Sequence, residues 1–116
     1  MAYEVLRADG VARDLELIFE FLVTAAEEFG ESPGTAFARA EVRLEEIEAA
    51  MATLAHLPHQ GTRRPDLGAS ICHVTKGRAV VYFDTDEASR RLRILAVFFG
   101  GQDHDARILL RLLDDV

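Results

Sequence analysis

The fold is decided by residues 76–99, which read KGRAVVYFDTDEASRRLRILAVFF. Lys76-Gly77 is a two-residue turn signal, and the β-favouring run VVYF predicts a strand from Arg78 to Asp84. A second strand is predicted from Arg91 to Phe99, where apolar residues recur at every second position: Leu92, Ile94, Ala96 and Phe98. The polar stretch 85–90 is too short for a crossover connection, so the two strands are expected to form an antiparallel hairpin.

The segment before this hairpin predicts one more strand and a long loop. Ser70 to Thr75 is read as a strand that joins the sheet through the Lys76-Gly77 turn. Residues 56–69 hold two prolines, two glycines and few apolar residues, so they are predicted as a loop. Loops of this length in small domains are often functional or mobile.

Two helices are predicted upstream of the loop. The first spans roughly residues 10–29, with Asp9 as a plausible N-cap and Gly30 at its end. One face is apolar (Leu15, Ile18, Phe19, Leu22, Ala26, Phe29), and the other is charged (Arg13, Asp14, Glu16, Glu20, Glu27, Glu28). Ser32-Pro33 predicts the start of the second helix, whose apolar face comprises Phe37, Ala40, Leu44, Ile47, Met51 and Leu54. The short connection makes the helices antiparallel neighbours.

The two ends of the chain complete the predicted fold. Residues 3–7 alternate like a short strand, which is expected at an edge of the sheet. Residues 103–113 predict a short helix capped by Asp103. The element order is therefore β-α-α-β-β-β-α, an α+β fold in which a helical hairpin packs on a small antiparallel sheet. At 116 residues the chain fits a single domain spanning 1–116.

Composition limits the classes of function. Cys72 is the single cysteine, the N-terminus lacks the pattern of a signal peptide, and the longest apolar run is Ile94 to Phe99, so a cytoplasmic location is expected. His56 and His59 straddle Pro58 and have no ligand partner at metal spacing. No metal and no cofactor are predicted.

The charge of the chain is acidic but uneven. The net charge is −7, yet residues 57–78 carry four basic residues against one acid. An acidic body argues against strong non-specific binding to nucleic acid, which depends on neutralising phosphates. Any anionic or acidic partner is expected to contact residues 57–78.

Four segments in order resemble the ParE/RelE superfamily of toxins from type II toxin–antitoxin systems. They are VARDLELIFEF at 11–21, the loop positions Leu54, Pro58, Gly61, Arg63 and Asp66-Leu67, the GRAVVY strand at 77–82, and LRILAVFFGGQD at 92–103. In this superfamily, RelE-like members are ribosome-dependent mRNA endonucleases, and ParE-like members poison DNA gyrase. Both kinds are neutralised by a partner antitoxin.

The residues favour the ParE branch of this resemblance. RelE-like enzymes place basic residues along the first sheet hairpin, and residues 70–75 contain none. The arginine expected two residues after the hairpin glycine is replaced by Ala79, although Arg78 is adjacent. The arginine expected after the last strand falls on Gly101-Gln102-Asp103, and no tyrosine follows Tyr82. The resemblance therefore implies a ParE-like gyrase inhibitor without chemistry of its own, neutralised by a ParD-like or related antitoxin. An mRNA endonuclease and a non-toxic, antitoxin-binding module are the alternatives.

Candidate site residues follow from these hypotheses. An endonuclease would have to use an atypical set: His73, Arg78 and His104. Contacts to a target or an antitoxin are expected from Arg63, Arg64, Arg78, Tyr82, Phe21 and Phe29. The polar candidates also have plainer interpretations. Arg63 and Arg64 would be solvated loop arginines, His73 and Arg78 cross-strand surface residues, Tyr82 a buried or half-buried sheet aromatic, and His104 an exposed histidine at a helix start.

Overall fold

The computed structural model describes residues 2–100 and 103–114. These residues form an α+β fold, as predicted from the sequence, with one strand more than expected. The elements in chain order are β1 Glu4–Arg7, α1 Val11–Glu28, α2 Pro33–Thr53, β2 Thr62–Arg63, β3 Ile71–Lys76, β4 Ala79–Asp86, β5 Arg91–Phe99 and α3 His104–Asp114. The predicted end of the sheet at Gly100-Gly101 and the neighbouring Gln102 lie partly outside the described residues.

The sheet has the strand order β1-β5-β4-β3-β2. Strands β3, β4 and β5 form the predicted antiparallel hairpins, and β1 lies at an edge as expected. The sheet is nevertheless mixed rather than antiparallel, because β1 pairs with β5 in parallel from Glu4↔Arg91 to Arg7↔Ile94. The helical hairpin between β1 and the later strands returns the chain so that β1 and β5 run in the same direction.

The predicted loop 56–69 contains the short strand β2, which the sequence reading missed. Thr62 pairs with His73 and Arg63 with Cys72. Gly61 has φ +94, and a Cβ there would collide with the His73 carbonyl oxygen, so glycine allows the backbone to approach β3. The result is that Arg64, directly after β2, is held at the sheet.

A β-bulge changes the faces of β5. The register passes from Tyr82↔Ala96 to Phe83↔Ile94, which leaves Leu95 as the extra residue. Leu92 and Ile94 therefore pack in the core beneath the helical hairpin, whereas Ala96 and Phe98 pack on the opposite face. The prediction that these four side chains share one face was wrong because strict alternation does not account for an inserted residue.

The helical hairpin covers one face of the sheet. Its buried residues include Leu15 and Ile18 of α1 and Ile47 and Met51 of α2. Ser32 caps α2, as predicted, since its hydroxyl accepts a hydrogen bond from the Thr35 N–H.

Three details of the predicted helices were wrong. Gly10, not Asp9, is the N-cap of α1. Phe29 was placed on the apolar face but is 91% exposed, because it lies at the end of α1 beyond the sheet. Phe37 is half exposed and packs edge-on against Phe19, with the ring centroids 4.9 Å apart.

Helix α3 lies over the opposite face. Ile108 is fully buried there with Val80, Tyr82 and Phe98. Asp103 caps this helix as predicted, since its Oδ1 accepts a hydrogen bond from the Ala106 N–H. Within the described ranges, no helix is long and apolar enough to span a bilayer.

Candidate functional site

Five side chains from different elements meet on the face of the sheet that α3 covers. They are Arg64 after β2, His73 of β3, Tyr82 of β4, and His104 and Asp105 at the start of α3, and they are called the polar cluster below. The strand register pairs His73 with Tyr82. The Arg64 N–H donates to the Ile71 carbonyl at 2.8 Å, which fixes its backbone beside β3. The arrangement depends on three separate chain segments.

The Tyr82 hydroxyl is the centre of the polar cluster. The residue is 0% exposed, and its hydroxyl lies 2.6 Å from His104 Nδ1. Arg64 Nη1 donates to it at 2.9 Å, and the hydroxyl can donate to Asp105 Oδ1 at 3.3 Å. Burial raises the pKa of Tyr82, and the nearby Arg64 opposes that shift without cancelling it. The phenol is therefore a neutral donor and acceptor at pH 7.

The Arg64 guanidinium is held by two carboxylates. Its Nε and Nη2 donate to Asp66 at 3.1 and 2.9 Å, and its Nη1 donates to Asp105 at 2.8 Å. Hydrogen bonding to Asp66, more than to Asp105, raises the pKa of Arg64, and the same bonds lower the pKa of both carboxyls. One cation faces two anions, so this region has no surplus positive charge for a phosphate.

His73 contributes an imidazole without a partner at one nitrogen. Its ring centroid lies 5.2 Å from that of Tyr82 and 5.6 Å from that of His104. Nδ1 is buried and has no hydrogen-bond partner within the part of the chain that the structure describes. Burial, followed by the positive charge of Arg64, lowers the pKa of His73. Two imidazoles and a phenol in contact are groups that can transfer protons.

The structure brings together four of the candidate residues and separates the other four. Arg64, His73, Tyr82 and His104 all belong to the polar cluster. Arg78 does not, since its guanidinium lies over the Phe99 ring at 5.8 Å, so His73 and Arg78 do not line one surface together. Arg63 is exposed and donates to the Ala69 carbonyl at 3.3 Å. Phe21 and Phe29 lie on α1 and beyond its end.

Sequence reasoning did not find the two carboxylates that hold Arg64. Asp66 lies two positions after Arg64, a spacing that allows two hydrogen bonds between the side chains in a tight turn. This spacing was the signal in the sequence from which the ion pair could have been predicted. Asp105 gives no comparable local signal. Its contact with Arg64 spans 41 positions and depends on where α3 docks.

A second candidate surface is the α1–α3 groove, which runs beside β5 and encloses about 490 Å³. Its exposed apolar residues are Leu17, Phe21 and Leu110, and Arg107 lies among the residues that line it. In the described residues the β1 pairing ends at Ile94, so no strand accompanies the rest of β5 on this side. Phe29 does not line the groove.

A buried ion pair forms one wall of the α1–α3 groove. Asp14 is only 6% exposed, although the sequence reading placed it on the charged face of α1. Its Oδ2 accepts from the Val97 N–H at 3.0 Å, and its Oδ1 accepts from Arg111 Nη2. Arg111 Nη1 also donates to the Leu95 carbonyl at 3.1 Å. The prediction was wrong because the Asp14 carboxylate accepts a hydrogen bond from the backbone of β5 at Val97, beyond the point where the pairing with β1 ends.

The described residues show no arrangement of three or more His, Cys, Asp or Glu side chains that would hold a metal ion. No protein-family sequence model matches the chain, and no curated protein is significantly similar to it in sequence.

Among solved structures, the fold is similar to that of a chain in the RelBE2 toxin–antitoxin complex from Mycobacterium tuberculosis, with a TM-score of 0.52. The sequences are 18% identical over an alignment that covers 86% of this chain and 100% of the other. At this level of identity the similarity concerns the fold. The fold that the resemblance implies is therefore confirmed, whereas membership of the ParE/RelE superfamily and the branch stay predictions.

Proposed function

We propose that this chain is the toxin component of a type II toxin–antitoxin system, that it acts in the cytoplasm by binding a protein target, and that a cognate antitoxin neutralises it. The α1–α3 groove is the observation that carries the proposal. It is an apolar surface in a fold that also occurs in a toxin–antitoxin complex. Contiguous exposed apolar surface on a small protein is typical of interaction sites.

The chemistry of the α1–α3 groove indicates what it would bind. Leu17, Phe21 and Leu110 are 48–63% exposed and would be covered by an amphipathic helix or an extended segment. Arg107 lies beside them, so a partner with apolar anchors and acidic neighbours would fit. Because Asp14 and Arg111 already occupy the edge of β5 at Val97 and Leu95, side-chain packing in the groove is favoured over strand addition at these positions.

The polar cluster supports a protein target over RNA cleavage. Arg64 is bound to Asp66 and Asp105, and a fixed positive charge that is already neutralised cannot stabilise the negative charge that develops on a cleaved phosphate. DNA gyrase, the target that the ParE resemblance implies, is therefore the first to test.

Antitoxin binding is tested by co-expressing this chain with the product of the neighbouring gene, which the proposal expects to be a short open reading frame. Phe21→Asp should weaken the complex by about tenfold or more, because it places a charge at an exposed apolar anchor that the partner would cover. Val42→Asp is the matched control, since Val42 is 56% exposed on α2 and does not line the groove. Hydrogen exchange across α1 and α3 should slow in the complex; unchanged exchange there would refute the groove as the antitoxin site.

The target is tested with purified gyrase. The chain alone should inhibit supercoiling and raise the amount of cleaved DNA, and the antitoxin complex should do neither. Supercoiling that proceeds at the same rate with and without the chain would exclude gyrase. A growth assay with and without the neighbouring gene then separates a toxin from a module that only binds its antitoxin.

A ribosome-dependent mRNA endonuclease is the second candidate, and the contact among His73, Tyr82 and His104 favours it. Two imidazoles and a phenol could supply a general base and a general acid for attack by a ribose 2′-hydroxyl. Mapping of transcript ends after induction tests this mechanism. Codon-phased cuts that disappear in His73→Gln and His104→Gln would support it, whereas a transcript profile without such cuts would exclude it.

A further inference from the structure

We propose that Arg64 and Tyr82 form a carboxylate-binding site for an acidic segment of a partner protein, and that Asp105 of α3 fills this site in the free chain. The site lies on the polar cluster, not in the α1–α3 groove, and the proposal goes beyond the binding function argued above.

The first support is the geometry at Asp105. A single oxygen, Oδ1, accepts from Arg64 Nη1 at 2.8 Å and from the Tyr82 hydroxyl at 3.3 Å. The Asp105 side chain is 63% exposed, whereas Arg64 is 16% exposed and Tyr82 is buried. The donors are thus fixed in the body of the protein and the acceptor reaches them from the surface. A carboxylate that approaches from solvent could take the same position.

The second support is that the donors would stay in place without Asp105. Asp66 holds the Nε and Nη2 side of the Arg64 guanidinium, and the Ile71 carbonyl fixes the Arg64 backbone. Tyr82 belongs to the central strand β4 and is packed edge-on against Phe98 at 6.0 Å. Arg64 Nη1 and the Tyr82 hydroxyl would each lose the Asp105 acceptor but keep the hydrogen bond to each other. His104 Nδ1, which lies 3.5 Å from Asp105 Oδ1, would keep its contact with the Tyr82 hydroxyl. The site is therefore preorganised for a replacement.

The third support is His73. Its Nδ1 is buried and has no hydrogen-bond partner in the described residues, although its ring packs against Tyr82. Buried polar atoms are normally paired, so an unpaired one beside a fixed arginine indicates a place for a further ligand atom. In the tautomer with hydrogen on Nδ1, His73 would add a donor for the second oxygen of an incoming carboxylate.

An acidic protein segment fits this site better than RNA does. The chain itself shows that the site accepts carboxylate oxygens, since Asp66 and Asp105 both bind there. With Asp66 still bound, Arg64 presents one free donor edge, which matches a single carboxylate better than the clustered charges of a polyphosphate. A single carboxylate at this site would restore the contacts that Asp105 gives up, and the Asp105 side chain, which is already 63% exposed, would turn to solvent.

The experiment is an NMR titration of the full chain with a capped peptide of four consecutive glutamates between glycines. The variants are Asp105→Asn and, as control, Glu45→Gln, which removes one negative charge from the exposed face of α2. Asp105→Asn should bind the peptide about tenfold more tightly than Glu45→Gln, because a charge-assisted hydrogen bond no longer has to be displaced. The signals of Arg64 Nε–H and the Tyr82 amide should shift, and a peptide with glutamine for glutamate should not bind.

Further variants and a second ligand test which residues and which ligand chemistry the binding depends on. Adding Arg64→Gln to Asp105→Asn should abolish binding; if that protein does not fold, Tyr82→Phe with Asp105→Asn replaces it and should weaken binding. Equal affinity of Asp105→Asn and Glu45→Gln, or shifts confined to Arg107 and Arg111, would overturn the proposal. A dinucleotide with one phosphodiester that binds Asp105→Asn more tightly than the glutamate peptide would overturn the class of ligand.

Phe21→Asp should leave peptide binding intact, so this test and that of the α1–α3 groove can fail separately.

Discussion

Asp14 of α1 and Arg111 of α3 form an ion pair across 97 positions of sequence. Each also binds the backbone of β5, Asp14 at the Val97 N–H and Arg111 at the Leu95 carbonyl. The pair satisfies backbone groups that β1 does not reach, and it joins one helix from each side of the sheet to the same strand. Gly10 makes room for it, since a Cβ there would collide with the Arg111 guanidinium.

Replacing Asp14 with alanine should lower the free energy of unfolding by about 3 kcal/mol, because Arg111 and the Val97 N–H would both lose a buried acceptor. Urea denaturation measures this loss. Glu27→Ala, on the exposed side of α1, is the control and should change stability by less than about 0.5 kcal/mol. Equal effects of the two substitutions would contradict a structural role for the pair.

Replacing Gly61 with alanine should destabilise the protein by about 2 kcal/mol or more, since alanine at φ +94 is strained and its Cβ would push β2 away from His73. Thermal unfolding and the amide signals of Arg64 and Tyr82 report the change. Gly34→Ala serves as control, because Gly34 lies in the first turn of α2 with open space around it and should be neutral or stabilising. A normal Arg64 signal in Gly61→Ala would show that β2 does not position the arginine.

Replacing Tyr82 with phenylalanine should lower the free energy of unfolding by about 1–2 kcal/mol, because the Arg64 and His104 side chains lose their shared partner. Hydrogen exchange in the first turn of α3 should also become faster, while exchange in α2 stays unchanged. Tyr3→Phe, near the N-terminus, is the control, because it also removes a tyrosine hydroxyl but lies outside the polar cluster. Unaltered exchange in α3 would mean that the hydroxyl does not hold this helix.

Stability should fall as the pH drops below His73's ordinary pKa of 6.5. The fold lowers the pKa of His73, so between the folded and unfolded pKa values the unfolded chain binds more protons and acid favours unfolding. The pKa values of Asp66 and Asp105 are also lowered, but from 3.8, so their contribution is lost at a lower pH. His73→Gln should reduce the slope of unfolding free energy between about pH 7 and 5; His56→Gln, an exposed control, should keep it. An identical slope in both variants would contradict the assignment to His73.

The regular elements were predictable because they depend on local periodicity. The bounds of β5 agree at both ends, and α1, α2 and α3 each lie within a few residues of their predictions. The Ser32 cap and the Asp103 cap were also readable, since a cap depends on residues three positions apart.

The features that were missed depend on long-range contacts. Asp14 has the helical position of a surface residue. Its burial is explained by the Val97 N–H of β5, which lies beyond the last residue that pairs with β1 and donates to its carboxylate. The bulge at Leu95 leaves no mark in an unbroken apolar run. Arg64, Tyr82 and Asp105 meet because β2 pairs with β3 at the edge of the sheet and α3 packs on the face that carries Tyr82. No spacing in the sequence encodes that arrangement.

The parallel pairing of β1 with β5 has a consequence for the order of synthesis. Glu4 is made early, but its partner Arg91 comes after both helices and three strands, so the edge of the sheet cannot close until nearly the whole chain has been made. The contacts between α1 and α2 are local in sequence, so this hairpin can form before it packs on the sheet. A nascent chain therefore exposes β1 and the apolar face of the hairpin until β5 has been made.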